Sequence, residues 1–94
     1  MLVLICYDVS TIDSAGRKRL RKIARACADY GQRVQNSIFE CKITKAHWVL
    51  LKSRLLREFD IEQDSLRFYF LDSDINIEHH GTKEPIDLEK PLIL

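Results

Sequence analysis

A single carboxylate, Asp8, ends a run of seven apolar or aromatic residues, and a dense group of basic residues follows it. The run, Met1–Tyr7, predicts a strand buried on both faces, so its first charge lies at the edge of a sheet, where side chains meet water and ligands. Nine consecutive positions then contain six basic residues: Arg17, Lys18, Arg19, Arg21, Lys22 and Arg25. A carboxylate at a strand tip beside a basic helix suits a hard metal ion and phosphate groups.

Asp8 has an alternative interpretation, because Asp is also common after strands as a turn-forming or helix-capping acid. One carboxylate alone holds a catalytic metal weakly. Magnesium, however, keeps several waters and uses one or two carboxylates together with substrate phosphates. A two-fold dimer that places both copies of Asp8 near its axis would supply such a pair. The sequence therefore favours a metal site shared between two protomers.

A second polar group lies in a β-prone stretch and consists of Arg33, Gln35, Asn36 and Ser37. These side chains could contact phosphate, orient a water or meet a partner. The alternative is that they lie on an exposed strand.

The chain has no Walker loop, no Gly-x-Ser-x-Gly and no dinucleotide fingerprint.

The elements that must position these residues can be predicted from caps and hydrophobic periodicity. Asp13 or Ser14 can cap a helix that runs to about Tyr30, with Gly31 as its stop. Its apolar residues fall within one arc, and the basic residues occupy the rest of the circumference. Thr44 can cap a second helix, whose apolar stripe is Trp48, Leu51, Leu55 and Phe59.

The remaining segments predict strands. The stretch 33–43 is β-prone, but Val34 and Ile38 share one phase of the alternation and Phe39, Cys41 and Ile43 the other, which a bulge or bend would reconcile. Residues 66–71 predict another strand, and 75–78 and 92–94 are shorter β-prone pieces. If 33–43 forms a hairpin, the order is β-α-β-β-α-β. This predicts an α+β, ferredoxin-like fold with two helices covering one face of an antiparallel sheet.

Length and composition limit the class of protein. The 94 residues predict a single domain, with 1–71 as its core and 72–94 as a C-terminal dimerisation or partner segment. Residues 1–57 contain 12 Lys and Arg against 4 Asp and Glu, whereas 58–94 contain 3 against 10. This polarity favours a basic face for nucleic acid and an acidic tail.

The cysteines and the N-terminus bear on the compartment. Cys6, Cys27 and Cys41 show no Cys-x-x-Cys pattern, and the first two are expected to be small core residues in a reducing compartment. The apolar N-terminus meets Asp8 too early for a signal peptide or a membrane span. A cytoplasmic protein without a membrane partner is expected.

Three segments of the chain resemble a known family. They are Tyr7-Asp8, the string Gly31-Gln32-Arg33-Val34-Gln35-Asn36-Ser37-Ile38-Phe39-Glu40, and Asp64-Ser65-Leu66-Arg67-Phe68-Tyr69. Together they resemble the small CRISPR-associated adaptation proteins, the lesser of the two core subunits that acquire spacers. The resemblance covers about residues 1–71, and the later residues match mainly in length and in a final apolar strand.

This resemblance implies a ferredoxin-like homodimer in which a C-terminal strand extends the sheet of the other protomer. It implies that Asp8 binds magnesium, or another divalent cation, jointly with its dimer mate. It also implies a CRISPR-associated endonuclease, since family members are credited with cutting RNA or double-stranded DNA. Other members are a non-catalytic bridge that holds the larger integrase subunit on DNA.

Two functions of different class therefore stay open. In the first, the chain is a phosphodiesterase in which Asp8 holds the metal, Ser37 or Arg33 stabilises developing charge, and a basic helix holds the backbone. The basic residues expected to bind nucleic acid are Arg17, Lys18, Arg21, Lys22 and Arg25. In the second, the chain is a homodimeric scaffold that binds a duplex without sequence preference. An RNA-recognition module of the same strand order fits poorly, because the glycines of its usual strand motif are missing.

Overall fold

The computed structural model of the protein describes residues 1–71 and 74–81, and it confirms the predicted order of helices and strands. The elements are β1 (Leu2–Asp8), α1 (Ser14–Tyr30), β2 (Gln32–Gln35), β3 (Ile38–Lys42), α2 (Lys45–Glu58) and β4 (Ser65–Leu71). Every pairing in the sheet is antiparallel, and the strand order is β2-β3-β1-β4. This order is ferredoxin-like, as expected. The extra C-terminal strand expected at 92–94 lies outside the described residues.

Both helices begin at the residues that the sequence indicates. The Asp13 side chain accepts a hydrogen bond from the Gly16 N–H at 2.8 Å, and α1 ends before Gly31. Thr44 caps α2 by accepting a hydrogen bond from the His47 N–H at 3.1 Å. Gly16 is needed for space, because a Cβ at this position would collide with the Ser10 carbonyl oxygen. The start of α1 is therefore packed directly against the loop that follows β1.

The core lies between the two helices and one face of the sheet. In β1 the buried side chains alternate, and Val3, Ile5 and Tyr7 point toward the helices. The largest fully buried side chains are Phe39, Ile5, Ile23, Leu51, Leu55, Val3, Cys27 and Cys41. Burial raises the pKa of the Cys27 and Cys41 thiols to about 12, so they are unreactive core residues.

The prediction that β1 is buried on both faces was wrong. Leu4 and Cys6 are half-buried and Asp8 is exposed on the face away from the helices. No helix or strand of the described residues covers this face, which we call the uncovered face. Cys6 is therefore not a core residue, in contrast to Cys27. A continuous apolar run also occurs when a strand has one face in the core and another half-exposed, so the run alone did not separate the two cases.

Two predictions about strands had different outcomes. The hairpin in 33–43 is confirmed, because β2 and β3 pair around a turn at Asn36 and Ser37, with a register irregularity between Arg33 and Gln35. The strand predicted at 75–78 was wrong, since residues 75–80 are irregular. A short β-prone piece forms a strand only when a neighbouring strand takes up its backbone hydrogen bonds.

None of the helices in the described ranges is long and apolar enough to cross a membrane.

Candidate metal site and nucleic-acid groove

Asp8 ends β1 on the uncovered face, directly opposite Ser65 of β4. Its carboxylate is exposed and makes no hydrogen bond or ion pair with residues in the described part of the chain. Asp13, and not Asp8, caps α1. The helix-capping interpretation of Asp8 is thereby removed, and a free carboxylate remains at the sheet edge.

The loop after Asp8 is fixed by a second acid, Asp64. Its buried carboxylate accepts hydrogen bonds from the N–H groups of Ser10, at 3.1 Å, and Asp60, at 2.9 Å. Arg19 adds a two-armed ion pair, with its Nε at 2.8 Å and its Nη2 at 3.2 Å. The bonds from Arg19 lower the pKa of Asp64 and keep it ionised.

The hairpin turn brings Ser37 to the same end of the sheet as Asp8. The Tyr7 N–H donates to the Ser37 carbonyl at 3.1 Å, and the Tyr7 hydroxyl donates to the Asn36 carbonyl at 3.1 Å. Burial raises the pKa of Tyr7, so its hydroxyl stays protonated and donates. Tyr7, which directly precedes Asp8, thus holds the turn that carries Ser37 against the end of β1.

Arg33 lies on the other face of the sheet from Asp8. It pairs with Phe39, and its guanidinium carbon is 5.0 Å from the centre of that ring. Phe39 pairs with Ile5, whose side chain points toward the helices, whereas Asp8 lies on the uncovered face. The structure of one chain therefore brings Ser37 and Asp8 to the same end of the molecule, but it does not place the Arg33 guanidinium beside Asp8.

The basic residues of α1 form a groove with α2. This groove has a volume of about 440 Å³. Its lining is Lys18, Arg21, Lys22, Arg25, Arg54 and Glu58. We call it the basic groove. Five cations and one carboxylate line it, which suits the phosphates of a nucleic-acid backbone. Arg54 was not among the predicted binding residues, because only the packing of α2 on α1 brings it to this position.

Ion pairs between described residues leave two cations of the basic groove free. Arg54 pairs with Asp29 at 2.7 Å, and Arg25 approaches the same carboxylate at 3.7 Å. A longer distance of 3.8 Å joins Lys22 to Glu58. Lys18 and Arg21 make no ion pair with any residue described, so these two present uncompensated charge.

Two other basic residues of α1 lie outside the basic groove. Arg17 donates to the Thr11 carbonyl at 3.3 Å and lies beside the β1–α1 loop. Arg19 is committed to Asp64, as described above. The clean basic circumference expected for α1 is therefore divided, since Arg19 serves the fold and the remaining cations face solvent.

The donors of a single chain do not complete a metal site. Within residues 1–71 and 74–81 there is no cluster of three or more His, Cys, Asp and Glu side chains able to hold a metal ion. Asp8 supplies one free carboxylate, which is the kind of hard oxygen ligand that magnesium prefers. The donor set thus fits magnesium only as half of a site, to be completed by a second carboxylate, phosphate oxygens and water.

Comparison with known proteins gives consistent matches over most of the chain. Residues 1–75 match the family model described as CRISPR associated protein Cas2. The chain is 59% identical to the CRISPR-associated endoribonuclease Cas2 of Chlorobaculum tepidum, with all of both chains covered. It is 54% identical to the CRISPR-associated endonuclease Cas2 of Halalkalibacterium halodurans, with 99% of each covered.

Solved structures give the same match. The crystal structure of Streptococcus pyogenes Cas2 superposes with a TM-score of 0.75 at 52% identity, covering 86% of this chain and all of the other. A hypothetical protein from Thermus thermophilus superposes with a TM-score of 0.68 at 32% identity, covering 87% of this chain and 94% of the other.

Proposed function

The chain belongs to the CRISPR-associated Cas2 family, and from this premise we propose that it is a spacer-acquisition subunit with magnesium-dependent endonuclease activity on RNA or DNA. The observation that carries the proposal is the free, exposed carboxylate of Asp8 at the end of β1. A strand end is a rigid support, and the Asp64 cluster holds the loop that follows. A catalytic ligand needs this kind of fixed position.

The site is completed by a second copy of the chain packed on the uncovered face. Leu4 and Cys6 of this face are half-buried, and Tyr69 of β4 is 43% exposed. Partly apolar side chains on an otherwise open sheet face favour association with a like surface, and a two-fold dimer pairs the same patch on both subunits. Such a dimer offers two Asp8 carboxylates to one magnesium ion.

The residues of the chain then have distinct tasks. Asp8 from each protomer holds the magnesium, which when bound supplies polarisation of a phosphate and activation of a water. The Ser37 hydroxyl, in the turn at the same end of the sheet, donates a hydrogen bond to a phosphate oxygen in this proposal. Arg33 shares a surface depression with Arg21 and Arg25, which supports a role for Arg33 in binding the nucleic-acid backbone on the helix side.

A second candidate function rests on a different observation, the position of the basic groove. The groove lies on the helix side of the sheet, whereas Asp8 lies on the uncovered face, so the sheet stands between the two. A duplex held in the groove would not place its backbone on Asp8. This arrangement favours the non-catalytic scaffold, which holds DNA and docks the larger integrase subunit.

A cleavage assay on RNA and duplex DNA with Asp8→Asn separates the two candidates. The amide keeps the size of the side chain and loses the charge that holds the metal, so cleavage in magnesium should fall at least about a hundredfold. Binding to the same substrates in the absence of metal should change less than about twofold, because Asp8 lies outside the basic groove.

Glu62→Gln is the matched control. Glu62 lies in the loop at the same end of the molecule, is exposed and makes no side-chain hydrogen bond or ion pair with described residues. The Glu62→Gln substitution removes the same charge as Asp8→Asn and should leave cleavage unchanged. Cleavage that survives in Asp8→Asn would refute the metal role of Asp8. A wild-type protein that binds but never cuts, while Asp8→Asn still supports spacer acquisition, would establish the scaffold.

A further inference from the structure

Helix α2 carries a second apolar stripe that the core does not use. Val49, Leu50 and Leu56 are exposed by 64%, 57% and 46% of their surface. The side chains of α2 that pack into the core are on a separate face: Trp48, Leu51 and Leu55. The fold is therefore complete without the exposed stripe, and its residues need another explanation.

The geometry of a helix places these residues together. At 100° per residue, Val49 and Leu56 lie about 20° apart on the circumference, two turns from each other. Leu50 lies about 100° further around the helix, and the small residues Ala46 and Ser53 lie between it and Val49. Small residues between apolar ones allow a second helix to approach closely. We call this surface the α2 stripe.

Helix propensity does not account for the α2 stripe. Leu is a good helix former, so helix propensity alone could explain Leu50 and Leu56. Val49 is β-branched, loses rotamer freedom in a helix and is unfavourable at an exposed position that packing does not use. A β-branched apolar residue at this position is explained if its side chain is covered by something outside the described residues.

The charges around the α2 stripe all have one sign. Lys45 and Lys52 border it beside Val49 and Leu56, Arg57 lies next to Leu50, and no Asp or Glu occurs between residues 45 and 57. These three cations make no ion pair with any residue that the structure describes. Arg54 lies on the other side of α2, where it pairs with Asp29 of α1. The stripe is thus an apolar surface with an uncompensated basic border.

We propose that the α2 stripe binds an amphipathic helix of a partner protein, in which an apolar face is flanked by Asp and Glu. Apolar anchors at helical spacing with complementary border charges are the usual basis of such recognition. A bare phosphate backbone would leave Val49 and Leu56 without a counterpart. A membrane surface is disfavoured because the α2 stripe has no aromatic residue and is interrupted by Ala46 and Ser53.

The test uses a fluorescently labelled synthetic helix of about 20 residues, which is long enough to be helical in isolation. Its Leu residues form one face and Glu residues flank them. Anisotropy with the full chain should show saturable binding. Val49→Gln with Leu56→Gln should weaken it at least about tenfold, a loss of about 1.4 kcal/mol. Lys52→Glu with Arg57→Glu should do the same and should regain affinity for a peptide carrying Lys in place of Glu.

Ile12→Gln is the matched control, because Ile12 is 92% exposed and lies in the β1–α1 loop, away from the α2 stripe. It should bind the peptide like the wild type. Equal affinity for the Glu peptide and a Gln peptide of the same pattern would overturn the charge argument. Absence of peptide binding, or binding that the Val49 and Leu56 changes do not weaken, would overturn the proposal.

Other occupants give different results. Loss of the dimer in sedimentation with Val49→Gln and Leu56→Gln would make the α2 stripe an interface between copies and overturn the proposal. Tighter binding to phosphatidylserine vesicles than to the peptide, lost in the same variant, would assign it to a membrane and also overturn it. The outcome is independent of the nuclease proposal, since Asp8→Asn should bind the peptide normally and the α2 variants should cleave normally.

Discussion

At the scale of single residues, the free Asp8 carboxylate depends on a buried one, Asp64. The Asp64 side chain is fully buried and collects the Ser10 N–H, the Asp60 N–H and the Arg19 guanidinium. A buried carboxylate is tolerated only when charge and hydrogen bonds compensate it. Asp64 meets that condition by joining the loop after β1, the start of α1 and the loop before β4.

Replacing Asp64 with Asn should lower the free energy of unfolding by about 2–3 kcal/mol, because the charge and one of the two acceptor oxygens are lost. The pKa of Asp64 is lowered in the folded protein, so the stabilisation is fully present above the unfolded pKa of about 3.9. It is lost as the pH falls through the lower, folded pKa.

Urea unfolding of Asp64→Asn and wild type from neutral pH down to acid checks this. The difference in unfolding free energy between Asp64→Asn and the wild type should disappear at acid pH. Glu62→Gln, an exposed acid in the same loop, should differ little from the wild type throughout. A gap that stays constant with pH would mean that the charge of Asp64 is not responsible.

At the scale of elements, α1 divides its basic residues between the fold and the solvent. Arg19 faces Asp64, while Lys18 and Arg21 face the basic groove without ion pairs among the described residues. These two cations should therefore be the first to contact phosphates and to release the counterions bound there.

Changing Lys18 and Arg21 together to Gln should reduce duplex affinity. It should also flatten the log–log salt dependence by about 0.9 for each phosphate that the variant no longer neutralises. Lys45→Gln with Lys52→Gln removes the same charge from the opposite side of α2 and is the control. Fluorescence titrations at several salt concentrations measure both. If the two pairs weaken binding equally, net charge and not the basic groove determines affinity.

The elements could be predicted because their signals are local. Caps at Asp13 and Thr44 and the apolar spacing of each helix act within a few residues, so the helices were located correctly. Asp8 could be proposed for the same reason, since a charge after an apolar run is visible in the sequence. The role of Asp64 was missed because it lies 45 residues from Arg19, and only tertiary packing brings them together.

At the scale of the whole molecule, the helices cover one face of the sheet, and no described helix or strand covers the other. Tyr69 stands on this uncovered face, where its hydroxyl accepts a hydrogen bond from Arg67 at 3.2 Å. Asp8 ends the neighbouring strand on the same face. The proposed metal site therefore requires the proposed dimer, because each protomer supplies one Asp8 carboxylate.

Changing Tyr69 to Glu should weaken the dimer at least about tenfold, because two like charges would face each other across the axis. Glu can still accept from Arg67, so the monomer should fold. Sedimentation velocity measures the effect, and cleavage should fall in parallel because the Asp8 pair is separated. Ile12→Glu adds the same charge elsewhere and should stay dimeric. A Tyr69→Glu protein that remains dimeric would assign the interface to another surface.

The packing of α2 on β4 has a spectroscopic consequence. Trp48 is the one tryptophan of the chain, and the centre of its ring lies 4.9 Å from that of Phe68 and 5.5 Å from that of Phe70. Phe70 is itself largely open to water. The tryptophan emission of the protein therefore originates from one place, at the junction of a helix and an edge strand. A molecule that covers Phe70 changes the surroundings of this chromophore, whereas one bound in the basic groove lies on the far side of α2.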